Sequence, residues 1–395
     1  NVAIETEKRI NAAREDYRPV AIRGSVLYFL VVEMSLVNPM YQTSLKQFLH
    51  LFDKAIGSAP QAALAKQRIE NIIETCTYSI YRYISRGLFK RHKFLFVLLL
   101  ACKILLRNEK LTYESFSLLL KGGSMLDIKS VRPNVCSWLP DTAWLNVIAL
   151  SSLRVFESLP DLIQKNEKAW QALYDSEKPE DAKLVKIPDL NEKINRFERL
   201  LLVRTLREDR TVLAAIEFIK ETLGEQYVDS VTVELEDTWK ESSNMQPLIC
   251  LLSPGSDPTS MIENLAKAQK REIYSISMGQ GQEKGATELI DNGFANGSWV
   301  LLQNCHLGLN FISTIEDKLK MAEYVHPDFR LWITSEPNPR FPIGLLQMGI
   351  KITLEGDVGI KAGMKSSFTW ITQDLLMPSK RPEGAPLLYS LCFLN

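Results

Sequence analysis

Pro247 to Thr259 reads PLICLLSPGSDPT, an apolar run that ends in a turn rich in serine, proline and glycine. This segment opens a longer stretch, Met245 to Glu355, in which short β-rich runs alternate with helical patterns. The alternation predicts a parallel sheet wrapped by crossover helices, and sheets of this kind hold ligands at the carboxyl ends of their strands. The predicted strands are Pro247–Leu252, Tyr274–Ser277, Trp299–Gln303, Arg330–Thr334 and Lys351–Leu354.

The turn after the first strand can be compared with the phosphate-binding loop GxxxxGK[ST], whose N–H groups, Lys and Ser/Thr contact phosphates and Mg²⁺. With Gly255 to Thr259 on the last five positions, Asp257 replaces the second glycine and Pro258 replaces the lysine. Asp257 adds negative charge where phosphates would lie, and Pro258 supplies neither an ammonium nor an N–H. An Asp N-cap and a proline at the first position of a helix, Pro258–Gln269, explain the same residues. A weakened nucleotide site is the other interpretation.

The ends of the third and fourth strands are neutral. An NTPase needs acidic residues after the third strand, one to position Mg²⁺ and one to orient water, whereas this chain has Gln303 and Asn304. After the fourth strand, Thr334 and Ser335 fit either a sensor for the γ-phosphate or an ordinary strand-end cap. We therefore predict no catalytic residue here, and an NTPase-like scaffold kept for its shape.

Composition narrows the classes of partner. Lysine plus arginine and aspartate plus glutamate number 47 each, so no net charge draws the chain to nucleic acid or to an anionic membrane. The longest apolar runs, Val26–Val32 and Phe94–Cys102, are shorter than the roughly 20 residues of a membrane helix, which predicts core helices. The basic run Lys90–Lys93 is interpreted as a polar junction between helices Ala62–Phe89 and Phe94–Leu106. Six scattered cysteines and four distant histidines predict buried thiols and no metal site.

The rest of the chain is predicted to be largely helical. A long apolar pattern from Ile22 to Ile56 is interrupted at Asn38-Pro39, and amphipathic helices follow up to Leu223. Glu5 to Asp16 resembles the end of a solvated helix or coiled coil, and Leu387–Leu394 is an apolar helix without a cap. Both ends predict a piece of a longer polypeptide.

Several long motifs in register resemble dynein heavy chains, and the likeness extends over essentially the whole chain. Two of them, LSPGSDP and the LQNCHL part of WVLLQNCHL, resemble the axonemal branch more than the cytoplasmic branch. In order, the motifs are RGSVLYF (23–29), PMYQTSL (39–45), LSPGSDP (252–258), GQGQ (279–282), WVLLQNCHL (299–307) and FRLW (329–332).

This resemblance implies a piece of the AAA+ motor ring of a minus-end-directed microtubule motor of cilia and flagella. Its fold would be α/β with a large all-α part, a P-loop-like parallel sheet preceded by a helical lid. Residues 1–110 would be the end of the strut and the small domain of the fifth module, and 111–245 the helical N-terminal part of the sixth large domain. Residues 246–375 would be the α/β core of the sixth module, and 376–395 the start of its lid.

The resemblance also implies where the chemistry lies. The family binds ATP and Mg²⁺ in its first four modules, so no cofactor, metal or catalytic residue is expected here. Implied partners are the neighbouring modules and, through the parent chain, intermediate chains, light chains and the microtubule, with no nucleic acid or membrane. The implied location is the cytoskeleton of the cytoplasm, in the ciliary axoneme. A mechanical role is the favoured hypothesis; a regulatory site that senses nucleotide without hydrolysis, through Thr259, the Gly279 loop and Thr334, is the alternative.

Overall fold

The computed structural model divides the chain into two compact units, which are described separately. The first comprises residues 1–31, 49–83 and 90–231, and the second comprises 32–48, 84–89 and 232–395. The module boundaries predicted at residues 110, 245 and 375 stay predictions. The residues that the structure describes are 11, 14–124, 126–127, 131–134, 136–181, 185–229, 234–356, 364, 371 and 383–394.

A long helical part precedes the sheet, as predicted. Most of the coiled-coil-like segment Glu5 to Asp16 lies outside the described residues. Within the described residues, the helices before the sheet are α1 (Arg18–Val37), α2 (Leu45–Ser58), α3 (Ala65–Ser85), α4 (Lys90–Arg107), α5 (Tyr113–Lys121), α6 (Asp141–Leu150), α7 (Leu159–Lys165), α8 (Glu167–Tyr174), α9 (Arg196–Leu206), α10 (Thr211–Leu223) and α11 (Leu235–Glu241).

Local signals explain where several of these helices begin and end. The predicted break at Asn38-Pro39 is confirmed: α1 ends at Val37, and the Asn38 side chain accepts a hydrogen bond from the N–H of Met40 at 3.0 Å. Helix α9 begins with a capping box, in which the side chains of Asn195 and Glu198 each accept a backbone N–H of the other residue. These caps satisfy N–H groups that the first turn of a helix leaves without a partner.

The interpretation of Lys90–Lys93 as a junction between helices is wrong. These residues form the first turn of α4, which begins at Lys90, and the chain reverses just before them, with N–H of Gly87 bonded to the carbonyl of Ile84 at 3.0 Å. Basic residues oppose the dipole at a helix N-terminus. The basic run therefore gave no signal for a helix start, although the glycine before it did.

Helix α1 is long and apolar enough, by length and composition, to cross a membrane. Core helices of globular proteins pass the same test. In this structure Val20, Leu27, Leu30, Val31 and Met34 of α1 are buried inside the protein, as predicted for a core helix. Phe29 and Leu36 of the same helix are exposed.

The second unit contains a five-stranded sheet in the order β2-β3-β4-β1-β5, with every pair of neighbouring strands parallel. Each predicted strand is confirmed to within one residue at either end. The strands are β1 (Leu248–Leu252), β2 (Ile273–Ser277), β3 (Trp299–Gln303), β4 (Arg330–Ser335) and β5 (Ile350–Leu354), joined by helices α12 (Thr259–Ala268), α13 (Glu283–Asn296), α14 (Leu309–Met321) and α15 (Ile343–Met348); α16 (Gly384–Leu394) follows.

Burial follows this strand order. All five side chains of β1 are buried, because the strand has neighbours on both sides and helices on both faces, whereas β2 lies at the edge and is half exposed. Fully buried strands read as continuous apolar runs. The fold therefore brings the carboxyl ends of β1, β3 and β4 together in the middle of the sheet.

Candidate functional site at the carboxyl edge of the sheet

The loop after β1 is a closed turn. The N–H of Ser256 bonds to the carbonyl of Ser253 at 3.1 Å, and Gly255 between them has φ of +82°. Proline at the second position and a glycine with positive φ at the third define a type II turn. A phosphate loop needs its N–H groups free to point at the anion, and here that of Ser256 is already used.

Asp257 forms an Asx turn just before the helix that follows, and it precedes the N-cap position, so the predicted Asp N-cap is wrong. One oxygen of its carboxylate, Oδ1, accepts the N–H of Thr259 at 2.9 Å and the hydroxyl of Thr259 at 2.5 Å. Helix α12 begins at Thr259, so the predicted helix start at Pro258 is off by one residue, and Pro258 itself occupies the N-cap position. The carboxylate thus supplies negative charge where a helix N-terminus would otherwise attract an anion.

Gln303 contacts the same hydroxyl. Its side-chain amide donates a hydrogen bond from Nε2 to Oγ1 of Thr259 at 2.7 Å. Thr259 and Gln303 are the residues that the sequence comparison set against the Mg²⁺ positions of an NTPase, and in this structure they bond to each other. Because a hydroxyl has one proton, Thr259 donates to Asp257 and accepts from Gln303.

Asn304 joins three strands at this edge. It lies in the left-handed region, with φ of +55°, which asparagine tolerates better than most residues. Its N–H donates to Oγ1 of Thr334 at the end of β4 at 3.1 Å, and its side-chain amide donates to Oγ of Ser277 at the end of β2 at 3.2 Å. We call Asp257, Thr259, Ser277, Gln303, Asn304 and Thr334 the carboxyl-edge network.

Ser335 is not part of this network. It is fully buried, and its hydroxyl donates to the neighbouring carbonyl of Glu336 at 2.8 Å. The hydroxyl of Thr334 is also buried and accepts the bond from Asn304. Both contacts match the strand-end cap that the sequence allowed, and the sensor interpretation of these two residues stays a prediction.

The glycine loop after β2 is a turn that leaves open space. The N–H of Met278 bonds to the carbonyl of Gln303 at 2.8 Å, and Gly281 has φ of +81°. A Cβ added to Gly255, Gly279 or Gly281 would meet no atom within 4 Å.

The described residues contain no group of three or more metal-ligating side chains. Nearby thiols are also poor nucleophiles, because burial raises the pKa of Cys250 to about 12 and also raises the pKa of Cys305. Hydrogen bonding between neutral groups, with one carboxylate at the helix start, is the chemistry that the network shows.

Two members of this edge were missed from the sequence. Ser277 contacts Asn304, and the hydroxyl of Ser253 contacts that of Ser256 at 2.9 Å and accepts the N–H of Gly356 at 3.1 Å. Each residue ends or follows a predicted strand. The rule that brought Gln303 and Thr334 to one edge applies equally to them.

Comparisons with known proteins agree with this architecture. The model of the dynein heavy chain region D6 P-loop domain matches residues 243–353. The chain is 50% identical over its whole length to the dynein gamma chain of the flagellar outer arm of Chlamydomonas reinhardtii. It is 48% identical over 99% of its length to dynein axonemal heavy chain 5 of Mus musculus and 48% identical over its whole length to dynein axonemal heavy chain 8 of Homo sapiens.

The chain spans only 8–9% of the length of these relatives. The matched P-loop region contains the sheet except for its last residue, Leu354, and it contains every member of the carboxyl-edge network. The parallel α/β core with its large helical part is the AAA+ type of fold that the sequence predicted. The relatives compared above are axonemal or flagellar dyneins. The chain belongs to the dynein heavy chains and carries the region D6 P-loop domain of that family.

Proposed function

We propose that this chain is a non-hydrolysing, structural AAA+ segment of the motor ring of an axonemal dynein heavy chain. In this role it transmits conformational changes that ATP drives in other modules of the same polypeptide. It holds neither ATP nor Mg²⁺ itself. The modules of the fifth and sixth positions, with the boundaries given above, supply the helical and α/β parts.

The observation that carries the proposal is the bonding of Thr259. Its hydroxyl donates to Asp257 at 2.5 Å and accepts from Gln303 at 2.7 Å. A magnesium ion at this oxygen would compete with the hydrogen bond from Gln303, and it would find an amide where an acidic ligand is needed. Pro258 offers no cation to the phosphates.

The same contacts support a mechanical role. Asn304 links β3 to β4 and to β2, and Gln303 links β3 to the start of α12, which follows β1. In an active NTPase these side chains would have to rearrange around nucleotide. A network that is already satisfied keeps the strand ends fixed, so that the sheet moves as one body.

Calorimetric titration of MgATP and MgADP into the chain tests the proposal. We expect no binding tighter than a dissociation constant of about 100 μM, on the order of −5.5 kcal/mol. Tighter binding that is weakened in the Thr259→Val variant would contradict it, because that variant removes only the hydroxyl. Tighter binding that the variant leaves unchanged would place the nucleotide elsewhere on the chain.

The alternative is a regulatory site that binds nucleotide without hydrolysing it. Gly255, Gly279 and Gly281 favour this candidate, because a Cβ added at each of them would meet no atom within 4 Å. Its expected signature is tight MgADP binding in the same titration, lost in Thr259→Val. The bonding of Thr259 argues against it.

In the parent polypeptide we expect neighbouring AAA+ modules to contact this chain directly. Dynein intermediate and light chains and the microtubule would be partners through other parts of the parent. The relatives are named for the axoneme and for the flagellar outer arm. We therefore infer a place in the ciliary axoneme, within a minus-end-directed microtubule motor.

A further inference from the structure

Lys351 is a buried lysine in the middle of β5. Its side chain is 8% exposed, and its ammonium donates to the carbonyl of Gln42 at 2.6 Å and to the carbonyl of Leu346 at 2.9 Å. Burying a charged amine costs free energy unless it finds hydrogen-bond partners. The hydrogen bonds of Lys351 must therefore offset the free-energy cost of burying its amine in this strand.

Gln42 belongs to a segment far from β5 in sequence, residues 38–48, which the structure assigns to the same unit as the sheet. The segment contains a 3₁₀ turn, Pro39–Tyr41, and the first residues of α2. A second hydrogen bond links the segment to the residue just before β5: the side chain of Gln47 donates to the carbonyl of Gly349 at 3.2 Å. Among the contacts of the described residues, Lys351 and Gln47 thus both join this segment to β5 and the residue just before it.

Residues 84–89 also belong to the second unit, and they contact both β5 and segment 38–48. The N–H of Thr353 on β5 donates to the carbonyl of Arg86 at 2.8 Å, and the N–H of Phe89 donates to the hydroxyl of Tyr41 at 3.1 Å. Gly87 lies directly against Lys351: a Cβ added there would stand 2.9 Å from the Cβ of the lysine. Only a glycine allows the backbone to approach the lysine stem this closely.

The charged groups around Lys351 do not neutralise it. Arg86 is the neighbouring charge, and its guanidinium pairs with Glu241 at 2.6 Å. Burial, and to a smaller extent the charge of Arg86, lower the pKa of Lys351 to about 7. A neutral amine keeps two N–H groups, so the two carbonyl contacts are available in either protonation state.

We propose that Lys351 is the residue that fastens segment 38–48 to strand β5, so that this segment moves with the sheet. The inference rests on the proposed mechanical function and deepens it, since it names a contact through which the sheet would carry this segment when it moves. The apolar stem of the lysine crosses the packed layer beside Gly87, and its two donors hold Gln42 on one side and the end of α15 on the other.

Hydrogen–deuterium exchange of the whole chain, comparing wild type with Lys351→Met, tests this inference. Methionine has a similar length but no donor. We expect the amides of Tyr41 and Phe89 to exchange about ten-fold faster in the variant, the effect of losing one to two hydrogen bonds locally. The amides of β3 should keep their wild-type rates.

Two further variants sharpen the experiment. Lys267→Met removes an exposed lysine from the last turn of α12 and should leave every rate unchanged. Gly87→Ala presses on the lysine stem without touching its donors, and it should speed exchange at Tyr41 and Phe89 in the same pattern. This second route matters if Lys351→Met folds poorly.

Unchanged exchange at Tyr41 and Phe89 in both Lys351→Met and Gly87→Ala would overturn the proposal. So would an equal acceleration in β3, because it would show a general loss of stability and no specific tie. Neither result depends on nucleotide. Nucleotide binding in the calorimetric titration would overturn the proposed non-hydrolysing function while leaving the role of Lys351 intact, so the two failures are distinguishable.

Discussion

The hydroxyl of Thr259 is engaged in hydrogen bonds within the protein. It donates a hydrogen bond to Asp257 and accepts a hydrogen bond from Gln303. A ligand that binds this oxygen must compete with the hydrogen bond from Gln303, which is worth about 1 kcal/mol net in a folded protein. It must also approach the carboxylate of Asp257, which is exposed and carries the same sign of charge as a phosphate.

Replacing Asp257 by alanine should destabilise the chain. The N–H of Thr259 loses its hydrogen bond to the carboxylate, and loss of one such bond costs about 1 kcal/mol in the free energy of unfolding. Asp257→Asn is the matched control, because asparagine forms the same Asx turn. Urea denaturation measures both; equal stability of Asp257→Ala and wild type would show that this turn contributes nothing.

Two glycines with nearly the same backbone conformation allow strain to be separated from crowding. Gly255 and Gly297 have φ of +82° and +81°, but an added Cβ meets open space at Gly255 and the ring of His326 at Gly297. Gly255→Ala should cost about 1–2 kcal/mol from the left-handed backbone alone. Gly297→Ala should cost measurably more in the same denaturation experiment. Equal costs would mean that His326 moves aside freely.

The residues of the site could be predicted as a set, but not their bonding. Gln303 and Thr334 end predicted strands and Thr259 follows one, so the parallel arrangement brings them to one edge. That Gln303 bonds to Thr259 and that Asn304 turns to Thr334 depends on side-chain rotamers and on the left-handed φ of Asn304. Neither the side-chain rotamers nor the φ of Asn304 can be recognised from a pattern in the sequence.

Strand β5 combines an ordinary apolar pattern with one buried amine, and this has a consequence for stability against pH. The pKa of Lys351 is lowered to about 7 from the ordinary 10.5. Between these values the unfolded chain holds the proton more tightly than the folded one. The free energy of unfolding should therefore rise with pH across this window, by about 1.4 kcal/mol per pH unit for this one group.

Urea denaturation at about pH 7.5 and about pH 9 measures this slope. Other groups titrate in the same range, so Lys351→Met is the reference, and the slope of wild type minus that of the variant isolates the lysine. A difference near zero would mean that Lys351 keeps an ordinary pKa in the folded chain.

Elements with strong periodicity were predictable, and their ends were less so. The strands were found to within one residue because β1, β3 and β4 are buried on both faces and have continuous apolar runs. Helix α4 begins four residues before its predicted start, since the basic residues of its first turn have no apolar periodicity. Helix α12 begins one residue late because Asp257 forms an Asx turn with Thr259, two positions after it.

At the scale of the whole molecule, the second unit contains a P-loop domain whose carboxyl edge is held by contacts within the protein. Asp257 and Gln303 both bond to Thr259, and Asn304 holds neighbouring strands together. Under the proposed function, the energy for motion of the sheet would come from other modules of the parent polypeptide.

Restoring a phosphate loop should not restore ATP hydrolysis. The double variant Asp257→Gly with Pro258→Lys supplies the missing glycine and cation, but Gln303 and Asn304 still cannot balance Mg²⁺ or orient water as acidic residues do. We expect phosphate release at the background rate in both wild type and the variant, measured with saturating MgATP. Adding Gln303→Glu to the double variant is the informative third member of the series, since it returns one acidic side chain. Turnover above background in the double variant alone would show that the neutral strand ends are no barrier to hydrolysis, and the mechanical account of this edge would fail.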